Sequence, residues 1–127
     1  MNKVTLIGLY SHAHPEDISK DRINSTVSMI KKQGIEVNFL GSVRDHDDFL
    51  AGKIRKKLAD TVGNSCCIIL VYSGWSESTG ILNIITNYLH LPLIIWSLAG
   101  YKLKDGLIAP AAAAGASLLR NTLDSMN

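Results

Sequence analysis

Long hydrophobic runs are missing from this chain. The most apolar stretch, Leu89–Leu98, falls far short of the roughly 20 residues that a helical membrane span requires. Cysteine is scarce as well. Cys66 and Cys67 are adjacent, poorly placed to bridge each other, and open an apolar run where a free thiol behaves as a small hydrophobe. Charge of one sign is also lacking: 13 basic against 11 acidic residues leave a net charge of +2. The lysines and arginines are scattered among acids, so the dense basic stripe of a nucleic-acid or membrane-surface binder is absent. No Gly-x-Gly-x-x-Gly, Walker A or Gly-x-Ser-x-Gly motif occurs, which leaves a phosphate cradle or an elbow-borne nucleophile without support. The opening Met1-Asn2-Lys3 has no signal-peptide pattern, and a cytoplasmic location is the expectation. With 127 residues and no repeats or linkers, residues 1–127 read as a single domain.

What the chain does have is an aromatic-serine pair closing three apolar runs: Tyr10-Ser11 after Leu6–Leu9, Tyr72-Ser73 after Ile68–Val71, and Trp96-Ser97 after Leu93–Ile95. Continuous β-rich apolar runs read as strands buried on both faces, as in a parallel sheet. Strands are predicted at Val4–Leu9, Ile35–Leu40, Cys66–Val71 and Leu93–Trp96. Between them, a helix begins near Pro15, a second is capped by Asp45, and a third is capped by Ser76. Tyr101–Gly106 reads as a charged surface loop, and Pro110–Met126 as a helix with a small-residue face. Alternating strands and helices imply right-handed crossovers. The expected fold is three-layer α/β with a four-stranded parallel sheet, flavodoxin-like in its order 2-1-3-4, and a C-terminal helix.

In such sheets ligands lie beyond the carboxyl ends of the strands, so the rings and hydroxyls there are the first candidates for a binding site. Tyr10, Ser11 and His12, Arg44 after the second strand, Trp75 after the third and Trp96 on the fourth suit a sugar-like molecule, with rings stacking on its C–H face. Asp45-His46-Asp47-Asp48 contains oxygen and imidazole donors of the kind that bind divalent cations, but acids at a helix start are already explained by the helix dipole. Glu77 is a candidate general base in the same sense: chemically apt, and equally apt as a first-turn acid. The small face Ala111–Ala116 suggests contact with a neighbouring backbone, of another subunit or of the sheet itself.

The stretch Trp75 to Leu123 resembles the end of the first domain of the fucose/arabinose isomerase family. The resemblance rests on Trp75 after the third strand, Leu91-Pro92-Leu93-Ile94-Ile95-Trp96-Ser97, the loop to Gly106, and Ala111–Leu119. Ile7-Gly8-Leu9-Tyr10 and Phe39-Leu40-Gly41 fit the same layout. Those enzymes interconvert aldoses and ketoses at a divalent metal, usually manganese, whose ligands lie in later domains. The resemblance therefore implies a substrate-covering domain with no catalytic residue or metal ligand of its own. Its partners would be the catalytic domains or neighbouring subunits of a homo-oligomer, and Trp75 the leading sugar contact. Two other readings stand beside it. One is a free-standing flavodoxin-like module that binds a sugar or metabolite. The other is a Toll/interleukin-receptor-type NAD-cleaving domain, faintly echoed in Tyr10-Ser11-His12 and Pro15-Glu16-Asp17, with Glu77 as its catalytic acid.

Overall fold

The computed structural model describes residues 3–104, 106–108 and 111–126. Four parallel strands, β1 (Lys3–Tyr10), β2 (Glu36–Arg44), β3 (Cys67–Tyr72) and β4 (Leu93–Ser97), form one sheet in the order β2-β1-β3-β4. Helix α1 (Glu16–Lys32) covers one face; α2 (Asp48–Thr61), α3 (Ser78–Ile85) and α4 (Ala112–Ser125) cover the other. This is the expected three-layer flavodoxin-like α/β arrangement.

Period-two alternation divides the core between the faces. Ile7 and Leu9 of β1, with Ile68, Leu70 and Tyr72 of β3, face α2, α3 and α4. Val4 and Leu6, with Cys67, Ile69 and Val71, face Ile23, Val27 and Ile30 of α1. Val71 and Leu70 are adjacent and both fully buried, as only a strand covered on both sides allows. The ladder runs one residue past the strand tips, with Ser73 N–H donating to Leu9 C=O at 2.9 Å and Leu98 N–H to Tyr72 C=O at 2.9 Å. The carboxyl ends of all the strands thus lie along one rim.

Three local expectations change. The second strand continues past Leu40 to Arg44, because Gly41, at φ +114°, absorbs a bulge where the pairing shifts between Leu6 and Ile7. The α2 cap is Asp47, whose Oδ1 accepts the Leu50 N–H at 2.9 Å, and not Asp45. The stretch expected as a loop contains an antiparallel hairpin, β5 (Tyr101–Leu103) with β6 (Gly106–Ile108), too short to leave a periodic signal.

The small face of α4 is used within the fold. Ala112, Gly115 and Ala116 are buried, and a Cβ on Gly115 would stand 2.9 Å from the Ser76 nitrogen. Glycine here lets a helix lie directly on the backbone of the β3–α3 loop.

Candidate functional site

A cleft of about 140 Å³ opens at the rim, between the end of β2 and the start of α3. Leu9, Val43, Ala51 and Ile81 give it apolar walls, and Arg44, Asp45, His46, Asp47, Glu77 and Asn83 bring polar groups to it.

Asp45 organises these loops. It is buried, and its Oδ1 accepts both the Ser76 hydroxyl at 2.6 Å and the Glu77 N–H at 3.1 Å. Its backbone carbonyl accepts a hydrogen bond from His12 Nε2. One residue therefore ties together the loops that follow β1, β2 and β3. Hydrogen bonds to a buried carboxylate are worth more than neutral ones, roughly 1.5–3 kcal/mol each, so the three loops are held as a unit. Ser76, expected as the α3 cap, instead serves this carboxylate; the cap position is Glu77, which makes no side-chain cap bond.

His46 follows with φ 60°, in the left-handed region that costs a side-chain-bearing residue about 1–2 kcal/mol. That conformation sets its Nε2 3.7 Å from Glu77 Oε2 across the mouth, with both side chains largely exposed. The His12 and His46 rings stack with centroids 6.4 Å apart. Arg44 Nη2 lies 3.4 Å from Asp47 Oδ2, and its Nε is buried without a hydrogen-bond partner. In the core on the α2, α3 and α4 side, the Tyr72 hydroxyl is also buried and unpartnered. Burial, and secondarily the charge of Asp45, push its pKa upward and keep it protonated.

Of the residues singled out from sequence, Arg44 lines the cleft and His12 supports it through Asp45. Tyr10 and Ser11 do not reach it. The Tyr10 ring is buried toward α1, where its hydroxyl donates to Glu16 Oε1 at 3.0 Å. Ser11 Oγ accepts the Ala13 N–H at 3.1 Å and so shapes its own turn. Trp96 packs on the α1-side core. Trp75 is 36% exposed but is not a wall of the cleft, although Ser76 and Glu77 beside it are. The rings thus share a rim but alternate in face, so they form no common stacking platform. Thr79 and Asn83 are polar cleft residues that the sequence did not single out, and Asp45, weighed there as a helix cap and a cation ligand, instead holds the loops together.

Among the described residues, no three His, Cys, Asp or Glu side chains are grouped to hold a metal ion. No described helix is long and apolar enough to cross a membrane. Comparison with protein-family models, curated proteins and solved structures found no match.

Proposed function

We propose that the cleft binds a small polyhydroxylated molecule of single-sugar size. In its concrete form, the chain is the substrate-covering domain of a metal-dependent aldose–ketose isomerase of the fucose/arabinose type, working with catalytic domains or a neighbouring subunit that hold the metal. The observation that supports this is the composition of the cleft at the carboxyl rim. Acceptors (Glu77, Asp47) and donors (Arg44, Asn83) stand around an apolar wall, which matches the alternating hydroxyls and C–H faces of a sugar. Its size argues the same way: about 140 Å³ is well under the roughly 300–1,000 Å³ of sites for drug-sized ligands. The ligands of the metal are assigned to the other domains, because among the described residues no three His, Cys, Asp or Glu side chains are grouped to hold an ion. In this reading the domain contributes hydroxyl contacts and water exclusion only.

Titration of the chain with free aldoses and ketoses, followed by ligand-observed NMR, tests the proposal. Weak, saturable binding of fucose- or arabinose-like sugars is expected, reduced at least about tenfold by Glu77→Gln as one charge-assisted hydrogen bond is lost. No sugar binding, or binding indifferent to both Glu77→Gln and Arg44→Ala, overturns it.

A second reading has its own support, the exposed Glu77 carboxylate at the mouth beside His46. A carboxylate so placed suits cleavage of the N-glycosidic bond of NAD, with the ribosyl group in the cleft. NAD consumption lost in Glu77→Ala would select this reading; no turnover by the native chain removes it.

A further inference from the structure

The two edges of the sheet differ in how they end. At the outer edge β2 is guarded: Gly41 bulges it, Glu36 stands exposed on it, and Lys57 Nζ from α2 reaches the Leu40 carbonyl at 3.4 Å. Such features discourage further strand pairing. At the opposite edge β4 has none of them. Its residues, Leu93-Ile94-Ile95-Trp96-Ser97, carry no charge and no proline, and their outer backbone groups pair with no strand in the described sheet.

We propose that β4 is where two copies of this chain join, their β4 strands pairing antiparallel across a two-fold axis into one continuous sheet. Apolar surface flanks the strand on both sides. On the α4 side a groove of about 390 Å³ runs between strand and helix, walled by Leu93, Ile95 and Leu123, with Arg120 and Asp124 at its rim. On the α1 side Ile94 is 47% exposed. An added strand therefore meets apolar side chains on both of its faces, as interior strands of this sheet do.

The occupant is a second copy because the edge is self-complementary. With Ile95 on the axis, antiparallel register sets Ile94 opposite the second copy's Trp96, and Leu93 opposite its Ser97. Arg120 and Asp124 sit one helical turn apart, Nε 3.8 Å from Oδ2. A two-fold reverses that order in the second helix, so each charge meets its opposite. A partner bearing one sign of charge matches only half of this pattern. The net charge of +2 gives little repulsion between copies.

Sedimentation equilibrium on the full chain tests the proposal independently of any ligand. A reversible dimer is expected. Ile94→Lys, at an exposed position, raises its dissociation constant at least about tenfold by burying an unpaired charge from each copy in an apolar contact. Arg120→Asp and Asp124→Arg each weaken the dimer alone, and an equimolar mixture of the two variants regains it as a heterodimer. A chain monomeric at every concentration, a dimer indifferent to Ile94→Lys, or a mixture no tighter than its components would overturn the proposal. The mixing arm stands even if the lysine variant fails to fold.

Discussion

At the amino end of the sheet, buried polar groups satisfy one another. Thr5 Oγ1 and Ser65 Oγ share a hydrogen bond of 2.5 Å, and Asn38 Nδ2 donates to Thr61 Oγ1 at 2.8 Å and to Thr5 Oγ1 at 3.4 Å. At the carboxyl end the accounting stays open. Tyr72 Oη, Ser73 Oγ and Arg44 Nε are buried without partners, His46 holds a costly backbone conformation, and a cleft lies among Arg44, Asp45 and Glu77. Unmatched buried groups cost about 1–3 kcal/mol apiece. The unmatched groups and the strained backbone thus collect at the end of the sheet that carries the cleft.

The sharpest way to break this contrast is Asp45→Ala. It strands the Ser76 hydroxyl and the Glu77 N–H and frees three loops, so urea denaturation should register a loss of about 3 kcal/mol. Sugar binding should vanish with it. An unchanged unfolding midpoint would mean that the rim is not held by this carboxylate. Thr5→Val, nearly the same shape, leaves Ser65 without its partner at the other end. A smaller loss, about 1–2 kcal/mol, is expected there, with ligand affinity untouched; a fall in affinity would erase the distinction between the ends.

A third effect is alkaline. Burial, and then the hydrogen bond to Glu16, raise the Tyr10 pKa from its ordinary 10 to about 12. A group whose folded pKa lies above its unfolded value stabilises the fold below the unfolded pKa and loses that contribution as pH rises through the folded one. Stability should therefore fall between about pH 10 and pH 12, and the fall should be shallower in Tyr10→Phe. Absorbance titration of the phenolate checks the same shift directly. Tyr72, raised too, moves in the same direction and remains in both proteins.

The sheet was legible in the sequence because strands buried on both faces must be apolar without interruption, as Ile68–Val71 is. Order 2-1-3-4 then followed from handed crossovers. The end of β2 was not legible, since Gly41-Ser42 interrupts the apolar pattern just past the bulged residue Leu40. Asp45 was hidden for a different reason. In the run Asp45-His46-Asp47-Asp48 any acid can cap a helix, and the partners that settle the matter, Ser76 and Glu77, lie more than thirty residues further along the chain. The aromatic-serine pairs marked the rim but not its inner face, because alternation sends Tyr10 toward α1 and Tyr72 toward the opposite layer.

Gly115 has a bearing on how the domain responds to what surrounds it. Helix α4 lies against the Ser76 backbone with no side chain between them, and Ser76 is itself fastened to Asp45. Tilting or sliding that helix, whether by a neighbour at the sheet's edge or by a bulkier residue in the glycine's place, pushes on the lip of the pocket at once. Helix α4 is thus a backstop seated directly behind one residue of the cleft wall.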